Sequence, residues 1–387
     1  MKKHLFPLFL LLLGLNAQAQ QDFFAITGKD TQSITFNDFR AIDGTNGVSG
    51  EKFFTADSSA KVFSQTKKGI VAEDRNSYSN SQAVTLAALA YDTSNNNLVY
   101  MPMFSSNIYV LNPKTKEITL VENNEARVSS CDINSHIARM ATGYNGKIYA
   151  VNNAGTQFLE ISRKDGQYVV NDLGIIKDDA SNGRNSFTAM ETGFGGDMVA
   201  DADNNFYIFS ASGNVFKVLT NDLKAKFIGK IAGIPDNYSV NGSAVNAQGK
   251  VVIASAKGGA LYEVDLATLQ AKQLPGEQGL HIYDLASKYF VNDKHSTANT
   301  FADLDIYPTR VDEHYINVHA GNKIKGTVKL NIFDMAGKNV MTQNVSVKEG
   351  SSDEKVYLKG LVTGAYIVNI TDESGKVIFN KKILVTK

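Results

Sequence analysis

Two histidines occupy equivalent points of a recurring sequence pattern, and they are the first candidates for chemistry. His136 opens the run His136-Ile-Ala-Arg139, and His281 opens the run His281-Ile-Tyr-Asp284. Imidazoles can ligate a metal, while a guanidinium and a carboxylate can bind a charged ligand. If both runs are inner strands of one ring, we expect His136, Arg139, His281 and Asp284 near the mouth of its central channel, in contact with a ligand. Shared descent of the two copies explains the pattern equally well, so a structural role stays open.

The familiar catalytic patterns are not found in this sequence. Ser135 precedes His136, but adjacent residues of a strand point to opposite faces and cannot form a dyad there. No histidine or basic residue flanks Cys131, and no Gly-x-Ser-x-Gly, His-Glu-x-x-His or phosphate-binding glycine loop occurs. An enzyme built on a ring would need carboxylates that converge on its channel, and Glu191 and Asp197 are the candidates. The sequence predicts no catalytic residue, no metal site and no cofactor.

The elements that carry these residues repeat along the middle of the chain. Each copy holds four short β-branched or aromatic runs separated by Asn, Asp, Gly or Ser turns. Copies begin near Arg40, Leu89, Ile137, Asp197 and Asn241. Their spacing of roughly 45 to 60 residues, with four strands in each, is typical of a propeller blade.

A sixth start at His281 has no further strands of its own, and strands beginning at Phe23 and Gln32 could complete it. Closing the ring with both ends of the repeat region would leave no exposed sheet edge. We therefore predict an all-β chain with a six-bladed β-propeller over residues 20–292. A seven-bladed or irregular ring is the alternative.

The turns of the repeat carry a second, weaker pattern. The runs Asp92-Thr-Ser-Asn-Asn-Asn and Asp201-Ala-Asp-Asn-Asn resemble turns of NHL-type six-bladed propellers. The sequence has no tryptophan and no Trp-Asp pairs, which argues against the WD40 class. Asp201, Asp203 and Asn205 are spaced as in a calcium loop, but the glycine and distal glutamate of an EF-hand do not follow. A turn between strands is the prediction there.

The first residues of the chain have the pattern of a secretory signal. Lys2 and Lys3 precede the apolar run Leu5 to Leu15, and Ala17-Gln18-Ala19 fits a small-x-small cleavage site. The apolar run is shorter than the roughly 20 residues that span a bilayer. We predict a signal peptide over residues 1–19, with cleavage between Ala19 and Gln20, and no transmembrane segment in the mature chain.

Composition excludes several classes of partner and chemistry. The 387 residues include 39 basic and 39 acidic side chains, so no basic excess is available to bind nucleic acid. The single cysteine cannot form an internal disulfide or a multi-thiolate metal site. An apolar content of 43% is typical of a globular protein, and the length favours more than one domain.

The last residues form a second all-β unit. A polar stretch over residues 293–304 has the composition of a linker, and short strand patterns over residues 305–387 predict a small Ig-like β-sandwich. This region resembles the type A C-terminal sorting domain of the type IX secretion system of Bacteroidetes. Four runs carry the resemblance: Ile306-Tyr-Pro, Ile332-Phe-Asp-Met-Ala-Gly-Lys, Leu361-Val-Thr-Gly-Ala-Tyr-Ile-Val and Gly375-Lys-Val-Ile-Phe-Asn-Lys-Lys-Ile-Leu-Val. The family usually opens with Tyr-Pro-Asn-Pro, and here Thr309 and Arg310 follow the Tyr-Pro pair.

The resemblance implies a route and a location. It implies export across the inner membrane with the signal peptide, and across the outer membrane by the type IX machinery, which would contact the C-terminal domain. It also implies processing in the linker, with release into the medium or attachment at the cell surface. An ordinary Ig-like adhesion module is the alternative for this domain.

Function beyond export rests on the propeller itself. Because binding residues concentrate on loops held by a rigid scaffold, we predict a non-enzymatic module that binds an unknown protein or glycan. The alternatives are a propeller hydrolase or lactonase-like enzyme and a glycan-binding adhesin. For the adhesin, the 16 tyrosines and 21 phenylalanines would replace the missing tryptophan as sugar-stacking groups.

Overall fold

The structure is a computed structural model of the 387-residue chain. It describes residues 23–29, 35–56, 60–72, 85–220, 222–276, 279–292, 304–311, 314–320, 326–347 and 352–386. The predicted signal peptide, its cleavage site at Ala19 and Gln20, and linker residues 293–303 lie outside the described residues.

Strands dominate the chain. Those before the linker are β1 (Phe23–Lys29), β2 (Thr35–Ile42), β3 (Ser49–Thr55), β4 (Val62–Ser64), β5 (Gly69–Val71), β6 (Leu86–Asp92), β7 (Asn97–Pro102), β8 (Ile108–Leu111), β9 (Ile118–Val121), β10 (Ile137–Thr142), β11 (Ile148–Asn152), β12 (Phe158–Lys164), β13 (Gln167–Gly174), β14 (Lys177–Asp178), β15 (Asp197–Ala200), β16 (Phe206–Phe209), β17 (Asn214–Leu219), β18 (Lys224–Lys230), β19 (Val240–Val245), β20 (Val251–Ser255), β21 (Tyr262–Asp265), β22 (Gln270–Gln273) and β23 (His281–Ser287).

Those after the linker are β24 (Leu304–Tyr307), β25 (Arg310–Val311), β26 (Tyr315–Ala320), β27 (Gly326–Asp334), β28 (Asn339–Val347), β29 (Ser352–Tyr357), β30 (Gly364–Thr371) and β31 (Val377–Val385). The helical elements of the described residues are α1 (Met190–Gly193) and two 3-10 turns, Ile133–Ser135 and Ala180–Asn182.

Five antiparallel sheets form the blades of a closed propeller. Blade 1 is β6–β9, blade 2 is β10–β13, blade 3 is β15–β18, blade 4 is β19–β22, and blade 5 is β23 with β1–β3. The inner strands β6, β10, β15, β19 and β23 contact one another in that order, and β23 contacts β6 again. These contacts close the ring after five blades.

Blade 5 confirms the predicted closure by the two ends of the repeat region. β1 pairs antiparallel with β23 through register partners such as Phe23 and Ser287, and with β2 on its other side. Each of the four strands is therefore paired with another strand of the blade, and β3 forms the outer edge. The all-β propeller is confirmed, with strands from both ends of the region in one sheet.

The predicted count of six blades is wrong for the described residues. The run beginning at Arg40 was expected to be a blade of its own, but β2 and β3 complete blade 5. The following hairpin, β4 and β5, extends the outer edge of blade 1, where β4 runs parallel to β9. Sequence spacing cannot distinguish these pairings, because the strands follow each other in the same order in both arrangements.

Burial follows the position of each strand in its blade. The inner strands and their neighbours are almost fully buried, as in β15, whereas outer strands such as β22 are largely exposed. Aromatic side chains pack between blades: Tyr149 of blade 2 lies 4.9 Å from Phe206 of blade 3, ring centroid to centroid. The scaffold is thus held by the apolar surfaces between neighbouring blades.

The residues after the linker form a separate small β-sandwich. One sheet has the order β24-β26-β29 and the other has the order β25-β31-β30-β27-β28. Both sheets contribute to its core, which includes the fully buried Ile316, Leu330 and Val368. Buried and half-buried residues alternate along β30, as a sheet with one face on a core requires.

Candidate functional site

One layer of the inner ring carries buried polar side chains. Arg139 of β10, Asp197 of β15 and Asp284 of β23 are all completely buried. The three residues that follow each of them line the axial channel, together with equivalent triplets of the other two inner strands: residues 89–91, 140–142, 198–200, 243–245 and 285–287. The same alignment puts Ala88 of β6 and Gly242 of β19 in the polar layer. One guanidinium group and two carboxyl groups therefore lie in the same buried layer at the centre of the ring.

Each nitrogen of the Arg139 guanidinium group donates to a backbone carbonyl. Nε donates to Gly195 at 2.8 Å, Nη1 donates to Asn152 at 3.1 Å, and Nη2 donates to Gly193. The group also lies over the ring of Phe187, 5.0 Å from its centroid. Arg139 thereby fastens the loop that leads into β15 onto blade 2.

The two aspartates of the layer differ in their partners. Asp197 accepts the backbone N–H of Met198 at 2.7 Å and that of Ser243, on the next blade, at 2.5 Å. Neither carboxyl oxygen of Asp284 has a hydrogen-bond partner among the described residues, and the Ser243 hydroxyl has none either. Burial raises the pKa of both carboxyls well above the usual value, and the charge of Asp197 raises the pKa of Asp284 further.

The two predicted histidines point to different loops. His136 is buried; its Nε2 donates to the carbonyl of Ser129 at 3.1 Å, and its ring meets the edge of Phe104. His281 is half-buried, and its Nδ1 donates to the carbonyl of Ala256 at 2.7 Å. Burial lowers the pKa of His136, partly offset by the hydrogen bond to Ser129. Within the part of the chain that the structure describes, no three His, Cys, Asp or Glu side chains could hold a metal ion.

The remaining sequence candidates are dispersed. Glu191 is exposed in α1 and does not reach the polar layer that holds Asp197. Cys131 is exposed, and the Ser135 hydroxyl bonds to the carbonyls of Ser129 and Asp132. The carboxylates proposed for a hydrolase thus occupy different environments, one in solvent and one in the core.

The possible calcium loop forms a turn. The Asp201 carboxylate accepts the N–H groups of Asp203 at 3.0 Å and Asn205 at 2.8 Å. It also receives Lys217 Nζ at 2.9 Å. These bonds are those of the predicted turn between the first two strands of blade 3.

A crossing segment, residues 288–292, spans the opposite end of the channel; we call it the strap. The strap leaves blade 5 and reaches blade 3, where Val291 donates to Ala200 at 3.0 Å and accepts from Ala202 at 3.1 Å. On the way, Phe290 packs edge-to-face against Tyr144 of blade 2, with ring centroids 5.0 Å apart. The chain itself therefore covers this mouth of the channel.

Between the polar layer and the strap, little space is left. The channel cavity measures about 20 Å³ and is lined mainly by Leu, Met, Ala and Val side chains, with Tyr289 of the strap at one end. A single water needs roughly 10–15 Å³ on the same scale. The axis of this propeller can hold about one water molecule, which is far below the volume of a small-molecule pocket.

The two faces of the propeller are occupied differently. On the strap side, Lys381 of the sandwich donates to the Tyr144 hydroxyl at 3.3 Å, and Thr309 donates to the Ala202 carbonyl at 3.4 Å. The opposite side carries the segments that lead into the inner strands, including residues 122–136 and 179–196. We call this side the loop face. It bears His281 and the exposed apolar side chains of Ile133 and Met190.

Sequence reasoning placed Arg139 and Asp284 at matching positions of the repeat, and both side chains lie in the buried polar layer. It weighed Asp197 only as an enzyme candidate, although Asp197-Met-Val-Ala, Asp284-Leu-Ala-Ser and Arg139-Met-Ala-Thr align position by position. That alignment was the available signal. The strap had no comparable signal, because its short run resembles an ordinary turn.

Comparison with known proteins identifies the second domain. Residues 305–386 match the family described as the secretion system C-terminal sorting domain. No curated protein matches the chain in sequence. Within the described residues, no helix is long and apolar enough to cross a membrane. The prediction of a type IX sorting domain is confirmed, and it marks this chain as a cargo protein for export.

Several solved structures resemble the chain at low identity. They include the extracellular domain of BT4673 from B. thetaiotaomicron, with 10% identity, 90% of this chain and 49% of that chain covered, and a TM-score of 0.35. PorZ, a surface component of the type IX secretion system of Porphyromonas gingivalis, has 12% identity, 94% and 51% coverage, and a TM-score of 0.34. Virginiamycin B lyase from Staphylococcus aureus has 10% identity, 94% and 95% coverage, and a TM-score of 0.31. The chain spans about half the length of the first two, and these similarities transfer no ligand or activity to it.

Proposed function

We propose that the exported protein is a secreted or cell-surface binding module, in which the propeller binds a protein or glycan on its loop face. The observation that carries this proposal is the filled axis. An enzyme of this architecture would need a substrate pocket, and the channel has room for about one water between the polar layer and the strap.

The position of the sorting domain supports the same face. Its contacts to Tyr144 and Ala202 lie on the strap side, so the loop face stays open while the two domains are joined. The loop face also carries exposed apolar side chains, with Ile133 at 43% and Met190 at 57% exposure. Exposed apolar groups on loops of a rigid scaffold are typical of interaction sites.

The four predicted ligand contacts have different roles in this proposal. His281 retains exposed surface on the loop face and is the proposed direct contact. His136, Arg139 and Asp284 are buried beneath it, and their proposed part is to hold the loops that surround the contact. Neither a metal nor a cofactor enters this proposal.

The proposal includes a course of maturation. We propose removal of residues 1–19 between Ala19 and Gln20, a propeller domain over 20–292, a processed linker over 293–304, and an Ig-like sorting domain over 305–387. The last linker residue, Leu304, already begins β24. The type IX machinery is the proposed partner of that last domain.

The binding proposal is tested with the mature chain and three variants. Ile133→Glu and Met190→Glu alter the loop face, and Ile70→Glu alters an apolar residue on the rim of blade 1 that is exposed even more, at 68%. We expect the wild type and the Ile70 variant to bind the same target on a glycan array or in surface crosslinking with mass spectrometry. The loop-face variants should lose at least tenfold in affinity, and equal binding by all four would contradict the proposal.

A lactone and ester hydrolysis screen on the same proteins tests the enzyme alternative. Turnover that disappears with Glu191→Ala or Asp197→Asn would replace the binding proposal with a hydrolase. A signal on the glycan array alone would identify the module as a glycan-binding adhesin.

A further inference from the structure

The buried polar layer of the ring has an unbalanced set of charges. It contains two carboxyl groups, Asp197 and Asp284, and one guanidinium group, Arg139, all with no exposed surface. With every group ionised, one negative charge would remain in the core without a counter-charge. Burying an uncompensated charge costs several kcal/mol, and proteins normally avoid it by changing the protonation state.

The hydrogen bonds of the layer show which group lacks compensation. Asp197 is already stabilised as a carboxylate by two backbone N–H groups, from Met198 and Ser243. Asp284 has no hydrogen bond to either oxygen in the described part of the chain. A carboxylate that accepts two N–H groups favours its charged form, whereas an unpartnered buried carboxyl favours its neutral form.

The neighbouring strands offer no other charge to Asp284. Its register partner on β1 is Ile26, and on β6, which also packs against β23, the backbone of Leu89 is the group that lies near it. β19 faces it with Gly242, where an added Cβ would lie 3.1 Å from the Asp284 carbonyl carbon. The charged groups of the layer are therefore Arg139 on β10 and Asp197 on β15.

We propose that the Asp197–Asp284 pair holds one proton at neutral pH, on the Asp284 side, so that the layer is electrically neutral and the centre of the propeller is a proton-binding site. Loss of that proton in alkaline solution leaves two carboxylates facing one guanidinium group in the core. The inner strands β15 and β23 then repel each other across the axis, and the propeller loses stability.

Proton affinities agree with this geometry. Burial raises the pKa of both aspartates, and Asp197 raises the pKa of Asp284 further; the nearby backbone N–H groups of Leu89 and Leu285, neither of which forms a hydrogen bond with Asp284, offset only part of this rise. Burial lowers the pKa of Arg139 to about 9, and Asp197 opposes that change, so Arg139 is a cation at neutral pH. Because the two carboxyls interact, the pH at which this proton is lost is a property of the pair, although the proton resides on the Asp284 side.

The sign of the pH dependence follows from linkage. The pair binds its proton more tightly in the folded state than in the unfolded chain. Its stabilising contribution is therefore complete below about pH 4, the pKa of an aspartate in the unfolded chain, and is lost as the pH rises through the pKa of the folded state. Each unit by which the pKa of the folded state exceeds that of the unfolded chain changes the unfolding equilibrium constant about tenfold.

The test compares the pH dependence of unfolding of the mature chain with that of Asp284→Asn, which keeps the side-chain size and removes the ionisable group. The control is Asp165→Asn, because Asp165 is exposed in a turn at φ 50°, where asparagine is also tolerated. We expect wild type and control to lose at least tenfold more in the folding equilibrium constant between pH 5 and pH 9 than the Asp284 variant loses. Equal slopes in all three would overturn the proposal.

Two further measurements keep the proposal testable if the variant does not fold. Infrared spectroscopy of the wild type should show the carbonyl stretch of a protonated carboxylic acid at neutral pH, and its absence would overturn the proposal. Added NaCl, KCl or CaCl2 at constant ionic strength should not change the unfolding midpoint. A stabilisation specific to one of these cations, absent in Asp284→Asn, would show that a metal ion and not a proton neutralises the layer.

Discussion

The carboxylate of Asp197 in blade 3 accepts the backbone N–H of Ser243 in blade 4, with Oδ2 and N separated by 2.5 Å. This bond joins two inner strands at their buried ends, while the other carboxylate oxygen binds the N–H of Met198 at 2.7 Å. One side chain thus fixes the start of its own strand and the spacing to the next blade.

Removing this carboxylate should destabilise the ring. Asp197→Ala leaves the N–H groups of Met198 and Ser243 buried without partners, and each orphaned group costs about 1–3 kcal/mol. Urea unfolding of the mature chain should therefore show a loss of about 2–6 kcal/mol in the free energy of unfolding, whereas Glu191→Ala, at an exposed site, should stay within about 0.5 kcal/mol of wild type. Equal stability of the two variants would contradict the role assigned to Asp197.

Ring closure makes a second prediction. Phe23 is fully buried in β1, which closes the propeller by pairing with β23 on one side and β2 on the other. The phenyl group of Phe23 fills the space that a side chain on Gly44 would take. Phe23→Ala should cost about 3–5 kcal/mol, because it leaves a cavity at the closing blade. Phe63→Ala, at a site with 43% exposure on the rim, is the matched control and should cost far less. Thermal and urea unfolding measure both; similar losses would argue against closure through β1.

The loop that Arg139 holds predicts an unusual glycine requirement. Gly196 has φ of 85°, and an added Cβ would overlap the carbonyl oxygen of Phe209. Gly183 has φ of 60° in the same loop with open space around it. Gly183→Ala should cost about 1–2 kcal/mol from backbone strain alone, and Gly196→Ala should cost more because the strand must also move. Equal unfolding midpoints for the two variants would contradict this distinction.

His136 predicts a loss of stability in mild acid. Burial lowers the pKa of His136, so the folded protein holds a neutral imidazole while the unfolded chain takes up a proton below about 6.5. The stability of the wild type relative to His136→Gln should therefore fall as pH drops below 6.5 and be constant above it. Denaturant unfolding of both proteins between pH 5 and pH 8 measures the difference. A difference that is independent of pH would show that the imidazole is not held neutral.

Much of this fold could be predicted because propeller strands are local and repetitive. The four-strand pattern, the phase shared by Arg139 and Asp284, and the joining of Phe23 to the strand at His281 all follow from spacing and turn residues. The blade number could not be predicted in this way. Whether β2 and β3 begin a blade or complete one depends on pairing with β1, and pairing between distant segments leaves no periodic trace in a single sequence.

The candidate site shows the same limit. The repeat pattern of the sequence placed four polar residues in one region, but their burial and hydrogen bonds give them different roles. Arg139 donates to three carbonyls, Asp284 has no hydrogen-bond partner in the described residues, and His281 is the one of the four that is not buried. Such differences depend on loops from other blades and on the strap, whose paths are set by tertiary packing.

Export carried by residues 305–387 is the central claim, and one measurement tests it most directly. The full chain and a chain ending at residue 304 are expressed in a bacterium with a type IX secretion system, and mass spectrometry quantifies propeller peptides in medium, cell-surface and periplasmic fractions. We predict propeller peptides in the medium or on the surface for the full chain, and in the periplasm for the shortened chain. Equal export of both chains, or retention of the intact full chain in the periplasm, would contradict the account.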